Sequence, residues 1–159
     1  MAKYFKVAAE NRKAHFDYNI IEVYKAGLVL TGNEVKSIRL SRINLKDSFG
    51  RVEREEVWIY GMHITPYGNA KLDPLRRRKV LLQKGELLKL IGKVAEKGLT
   101  LVPLKVYFEG NWAKVDLALA KAKKKYEKRE KLRRQTAERE IERAFKGKAY
   151  DRKNKGKNL

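Results

Sequence analysis

The 159-residue chain has no cysteine, which excludes disulfides, thiolate zinc sites, iron–sulfur clusters and thiol nucleophiles together. Nor does it have a run approaching the roughly 18 to 20 apolar residues of a membrane span. Its opening stretch, MAKYFKVAAENRKAHF, carries charges every few residues where a secretory signal would have an apolar core. These absences lead to the expectation of a cytosolic protein with no membrane partner. Acidic side chains are scarce as well: 19 Asp plus Glu stand against 39 Lys plus Arg, a formal net charge of +20. So much charge of one sign repels itself in a compact state, and a polyanion turns that cost into affinity, so nucleic acid is favoured over a lipid surface. Apolar types make up 43 %, enough for a core, and the length fits one domain plus an appendage.

The charge is uneven. Residues 121–159 hold 17 basic and 6 acidic side chains, whereas residues 1–120 hold 22 and 13. The 121–159 segment has few large apolar groups (Tyr126, Leu132, Ile141, Phe145, Tyr150 and Leu159), too few to offset its ordering entropy, so it is expected to be disordered in the free protein. Yet residues 118–146 contain no Gly or Pro and are rich in Ala, Lys, Glu, Arg and Leu, all good helix formers. Glu127 with Lys131 and Glu130 with Arg134 stand at four-residue spacing, and Ala137, Ile141 and Phe145 line one narrow stripe. A helix is latent there. The alternatives are a solvated basic extension and an arm that folds into an RNA groove.

Residues 1–120 read mainly as short strands with a few helices. Alternation over 18–30, broken at Lys25-Ala26-Gly27, predicts a hairpin; residues 44–53, 56–64, 99–108 and 112–119 predict further strands, the last two joined by a tight turn at Glu109-Gly110-Asn111. Residues 86–97 place Leu87, Leu88, Leu90, Ile91, Val94 and Ala95 at helical spacing, with Gly98 as the C-cap. Residues 32–40 predict a second helix, with Thr31 as its cap and Glu34 in its first turn. Antiparallel strands plugged by one amphipathic helix match an OB-like Greek-key β-barrel.

Evidence for catalysis is thin. His15 and His63 are the only histidines, and without carboxylates at ligand spacing they argue for neither a metal nor a proton relay. His15 lies among Arg12, Lys13, Phe16 and Tyr18 as a phosphate or stacking contact, and His63 falls inside a strand as a packing residue. Glu55 and Glu56 are adjacent, so in a strand they face opposite ways. No Gly-rich phosphate loop occurs. The chain reads as a non-enzyme without cofactor or small-molecule substrate.

Three clusters mix cations with aromatic or apolar groups, the combination that neutralises phosphate and packs on bases. They are NRKAHFDY (11–18), LRRRKVLL (75–82), with Arg76, Arg77, Arg78 and Lys79 in a row at a strand entry stiffened by Pro74, and KAKKKYEKR (121–129), with Tyr126 between Lys125 and Lys128. Together they make an RNA-binding surface the better reading. A ribosomal or ribosome-assembly protein would share the charge, the barrel and the tail.

In order, NRKAHFDY, YKAGLVLTGNEVKSIRL (24–40), RINLKDSF (42–49), HITPY (63–67), DPLRRRKVLL (73–82), GLTLVPLKVYF (98–108) and KAKKKYEKRE (121–130) closely resemble the SsrA-binding protein family, also called small protein B. The resemblance runs over roughly residues 11 to 135. It implies a bacterial cytosolic protein whose barrel holds the tRNA-like part of transfer-messenger RNA. It also implies a basic tail that enters the vacant decoding centre and mRNA channel of stalled ribosomes during trans-translation. Asn11 and Leu81 fall where the family has residues needed for the RNA-binding surface, and Arg12, Lys13, Tyr24, Lys36, Arg78 and Lys79 add charge and stacking around them. Lys25 replaces the acidic residue the family usually carries before Ala-Gly, placing a phosphate-binding cation there. In the tail, Lys121-Ala122-Lys123-Lys124 and Glu127-Lys128-Arg129 match the family's opening and its Asp-Lys-Arg element. The resulting ribosome-binding set is Lys123, Lys124, Lys125, Tyr126, Glu127, Lys128 and Arg129.

Overall fold

The computed structural model describes residues 5–96 and 98–155. In chain order the elements are β1 (Phe5–Glu10), α1 (Arg12–Asp17), β2 (Tyr18–Leu28), α2 (Gly32–Arg39), β3 (Ile43–Asn44), β4 (Phe49–Glu53) and β5 (Glu56–Tyr60). They continue with β6 (His63–Ile64), β7 (Arg78–Leu81), α3 (Lys84–Val94), β8 (Leu99–Glu109), β9 (Trp112–Ala122) and α4 (Lys125–Lys155). The chain divides into two units, one ending at Ala122 and the other beginning at Lys123.

The first unit is mainly β. Its seven-stranded antiparallel sheet runs β1-β8-β4-β5-β7-β2-β9, and β9 also pairs with β8. The pairings from β8 through β4, β5, β7, β2 and β9 therefore return to β8. Inside lie Val57, Ile59, Val80, Leu101, Val106, Val115, Leu117 and Leu119, with Leu90 of α3 and Ile38 of α2 packed against them. Strand β8 is apolar almost without alternation because both its faces are covered: Val102 and Leu104 pack with Ala14 of α1 and Ala118 of β9 in a second cluster. Pro103 sits in the middle of this strand where the register shifts, a bulge that removes the need for its missing N–H.

The predicted hairpin turn at 109–111 is present, with Gly110 at φ +61 and Glu109 paired to Trp112. The Thr31 cap of α2 is as expected, its Oγ1 accepting from the Glu34 N–H at 3.3 Å, and Glu34, expected only to face the helix dipole, completes a capping box in which its Oε1 accepts from the Thr31 N–H at 3.1 Å. Other expectations are corrected. No break falls at Lys25-Ala26-Gly27; β2 runs straight through, and Gly27 is a paired strand residue with Leu81 on one side and Lys114 on the other. Residues 44–53 and 56–64 are not single strands, because Asp47 (φ +61) and Gly61 (φ +74) turn the chain. His63 is consequently exposed in a two-residue strand rather than packed. Helix α3 ends at Val94 with Ala95 as its C-cap and leaves Leu88 exposed; the predicted end at Lys97 lies outside the described residues, and Gly98 (φ +87) turns into β8 instead.

The reading of Arg78 as a surface cation is overturned. On β7, Arg78 and Val80 point inward while Lys79 and Leu81 point outward, and Arg78 is 0 % exposed. Its Nε donates to Glu34 Oε2 at 2.6 Å, and its other nitrogens donate to the carbonyls of Met62 and of Pro74. Arg76 also donates to Glu34. Around this pair, α2 holds the long 65–77 connection: Ser37 Oγ donates to Thr65 O at 2.5 Å, and Asn33 exchanges two hydrogen bonds with the Tyr67 backbone. Burial pushes the Glu34 carboxyl up, but the hydrogen bonds from Arg76 and the Thr31 N–H and the charge of Arg78 outweigh it and hold the group below its ordinary 4.5.

Among the described residues of the second unit the one element is helix α4. Glu130 pairs with Arg134 at 2.9 Å and Glu142 with Lys146 at 2.8 Å along its surface, and Leu132, Ile141 and Phe145 are exposed.

Two stability outcomes follow from these contacts. Arg78→Met strands a buried carboxylate and should cost about 3 to 5 kcal/mol in denaturant unfolding, and adding Glu34→Leu should recover much of that loss. Since the ionised Glu34 is favoured in the folded state, its contribution is complete above the ordinary carboxylate range and is lost as pH falls through the lowered value. The double variant should lack that part of the acid sensitivity. Separately, Arg54 (φ +49) and Glu55 (φ +61) form the two-residue turn between β4 and β5 with neither Gly nor Asn. Glu55→Gly should raise stability by about 1 kcal/mol, read as a higher unfolding midpoint.

Candidate nucleic-acid interface

The 11–18 cluster folds into α1, a six-residue helix that strand-weighted reading of the sequence missed because it is shorter than two helical turns. Asn11 caps it: its Oδ1 accepts from the Ala14 N–H at 3.2 Å, and its Nδ2 donates to the carbonyls of Pro103 at 3.2 Å and Leu45 at 3.4 Å. At 8 % exposure Asn11 is a clamp, binding α1 to the β8 bulge and to the chain before β4. Arg12 and Lys13 are exposed on the helix it holds, with Lys13 Nζ 3.9 Å from Asp17. Beside them a cleft of about 310 Å³ is lined by Asn11, Lys13, Asp17, Tyr18, Ser48 and Phe49. His15 is exposed on α1, and Phe16 is half-buried.

A second group gathers on the outer face of β2, β7 and β5. Lys79 and Leu81 alternate with the buried Arg78 and Val80, and Leu81 faces Gly27, two residues along β2 from the exposed Lys25. Lys25 is itself paired across the strands with Asp116, whose carboxylate lies 3.9 Å from Lys105. Burial first, and Asp116 second, push the neighbouring Tyr107 phenol up to about 12. Lys79 is opposite Trp58, and Trp58 is opposite Arg51. The Arg77 guanidinium stacks 4.2 Å from the Trp58 ring centre, Arg51 lies 5.9 Å from that of Tyr60, and Tyr60 stacks on Phe49 at 5.7 Å. The cations here are partly balanced: Arg77 meets Glu53 at 2.8 Å and Lys79 meets Glu56 at 2.9 Å.

The sequence reading did not single out Trp58, Tyr60, Phe49 or Arg51. The signal was available in the alternation of EVWIY, which puts Val57 and Ile59 inside and the aromatic rings outside. Tyr24, by contrast, was expected to stack on RNA and is packed in the core; its hydroxyl donates to Glu22, and burial and that carboxylate raise the phenol above its ordinary value. Lys36 is exposed on α2, 5.5 Å from the Tyr67 ring centre. Thus Lys25, Lys79 and Leu81 come onto one outer face, Arg12 and Lys13 share α1, Lys36 lies on α2, and Asn11, Tyr24 and Arg78 work within the fold.

In the second unit, Lys123, Lys124, Lys125, Tyr126, Glu127, Lys128 and Arg129 form the start of α4 and its approach. Glu127 Oε2 accepts from the Lys124 N–H at 3.1 Å and so closes the first turn. Tyr126 is exposed, with Lys124 Nζ 6.0 Å from its ring centre. Among the described residues no group of three or more potential ligands could hold a metal ion, and no helix is long and apolar enough to cross a membrane.

These features can be set beside known proteins. The family model described as SmpB protein matches residues 8–147. The SsrA-binding protein of Carboxydothermus hydrogenoformans is 58 % identical over 143 residues, covering 88 % of this chain and 96 % of that protein. Its counterpart from Geobacillus kaustophilus is 59 % identical over 143 residues, with 88 % and 92 % covered. A solved chain from "tmRNA-SmpB: a journey to the center of the bacterial ribosome" superposes with a TM-score of 0.64 at 49 % identity, covering 76 % of this chain and 86 % of that one. Likeness of sequence along nearly the whole chain, and of fold along most of it, makes this protein a member of the SmpB family of SsrA-binding proteins.

Proposed function

We propose that the chain binds the tRNA-like domain of transfer-messenger RNA and delivers it to stalled ribosomes, where trans-translation tags and releases the nascent chain. The observation that carries this reading is the 49 % identical fold match to a chain from a tmRNA-SmpB ribosome structure. The relatives' name, SsrA-binding protein, points to the same RNA, and the +20 charge supplies the polyanion affinity both partners require.

The first unit acts as an OB-like Greek-key barrel that reads RNA by shape, 2′-hydroxyls and phosphates rather than by a base code. Lys25, Lys79 and Leu81 on the outer face, with Arg12 and Lys13 on α1, contact the RNA, and Lys36 adds charge from α2. Asn11 serves by holding α1 in place, while Arg78 and Tyr24 serve by fixing the strands that bear Lys79 and Lys25. The helix α4 is the ordered state of the second unit, the one it takes against rRNA, and in the free protein the segment melts into disorder. A helix so exposed has little apolar surface to bury, and its repelling lysines become favourable only against rRNA phosphates. In a ribosome with no mRNA in the channel the segment gains helix, and Tyr126 stacks where codon–anticodon pairing would be sensed. An occupied channel excludes it, and that exclusion is the selectivity. The protein is a cytosolic carrier and not an enzyme.

Truncation after Ala122, which leaves β9 whole, should preserve affinity for the tRNA-like domain and abolish tagging in a reconstituted translation system. Persistent tagging overturns the role given to the tail. The Arg12→Ala and Lys13→Ala variants should each weaken RNA binding and reduce the slope of log K against log salt by about 1. A protein that binds rRNA without preference for the tRNA-like domain would instead be a ribosomal or assembly factor.

A further inference from the structure

On the outer face of β2, one residue before the strand ends, where a side chain would normally stand, there is none. Gly27 lies between Leu81 of β7 and Lys114 of β9, directly opposite each. Its backbone is not left-handed, and a Cβ there would meet the Leu81 Cβ at 3.4 Å, an ordinary contact. Neither backbone conformation nor space requires glycine. What its bare backbone does is floor a trough. The trough continues past Val29 and Leu30 to Trp112 at the tip of the β8–β9 hairpin, enclosing about 580 Å³. That volume is typical of sites for small rigid groups. Its walls are apolar, and Lys114 is the charged member of the lining. Trp112 is 75 % exposed and Leu81 52 %.

We propose that this trough is a slot for one unpaired RNA base, stacked on the Trp112 indole, bounded by Leu81 and lying over Gly27, with the adjoining phosphate on Lys114. The inference rests on the RNA-binding reading above and names a contact within it. A planar ring matches a flat floor between a large aromatic face and an aliphatic wall, and stacking on an aromatic side chain tolerates any base. The slot is continuous with the outward Lys25 and Lys79, so a backbone crossing those cations passes its mouth. The lining offers a cation and no carboxylate, as an anionic ligand needs.

The chain has two tryptophans, so fluorescence can isolate the site: the full-length protein reports Trp58 and Trp112, and the Trp112→Phe variant reports Trp58 alone. Both are titrated with the transcribed tRNA-like domain, with a single-stranded oligoribonucleotide and with a blunt RNA duplex of equal charge, while filter binding follows affinity in parallel. The expected result is quenching in the parent protein, beyond that seen in Trp112→Phe, with the tRNA-like domain and the single strand but not the duplex. Trp112→Ala should lower affinity for the tRNA-like domain about tenfold, and Trp112→Phe should hold it within about threefold. Gly27→Val, which fills the floor, should lower affinity with an unchanged circular dichroism spectrum. If filter binding is intact while Trp112 stays silent, or if Trp112→Ala binds as the parent does, the slot is not a base site and a protein partner becomes its occupant. If the parent fails to bind the tRNA-like domain at all, the broader RNA reading falls and the slot falls with it.

Discussion

The buried pair of Glu34 and Arg78 is the constraint on which the exposed surfaces depend. It joins the first turn of α2 to β7 and, through the carbonyls of Met62 and Pro74, to the chain just before β6 and just before β7. Two desolvated charges are expensive, and they are tolerable here because nearly every donor and acceptor is met: Glu34 also closes the capping box and receives Arg76. With Arg78 anchored inward, alternation along β7 leaves Lys79 and Leu81 no orientation but outward. A slip of one residue would bury Lys79 and Leu81 and expel the arginine and Val80.

Asn11 does for α1 what Arg78 does for β7. A short helix cannot hold itself together, and this one is fixed by its cap, by Ala14 packing on β8 and β9, and by a bulged strand whose carbonyls turn toward the Asn11 amide. In both places a polar residue that looks like a surface contact in the sequence is interior scaffolding, and its neighbours in the chain carry the exposed charge. Under the proposed function, changing Asn11 or Arg78 would act on RNA binding through the position of those neighbours rather than through a lost contact.

Much of this was legible beforehand. The β8–β9 hairpin, the Thr31 cap of α2, the place of α3, of whose expected stripe Leu90 is buried while Leu88 and Ala95 are exposed, and the latent helix of α4 follow from turn chemistry, spacing and propensity. Misreadings arose where one residue type serves two purposes. Gly27 looked like a turn because glycine permits turns, yet here it thins the outer face of a continuous strand. Four consecutive cations at 76–79 gave no hint which one faced inward; only the partnership with Glu34, more than forty positions away, decides it. The aromatic face of Trp58 and Tyr60 lies in the plain alternation of EVWIY, outside the three basic clusters.

The order of pairing along the chain has a consequence for how the molecule is made. Among the described residues β1 pairs with β8 alone, and the circuit of strands is completed by β9, so the earliest and latest parts of the first unit must meet before that circuit closes. During synthesis the emerging chain therefore carries open strand edges until residue 122 is free, and contacts of such long range form slowly. The residues beyond Ala122 then act as a tether of soluble, strongly like-charged chain. They give the last strand room to dock while discouraging association of one unfinished copy with another.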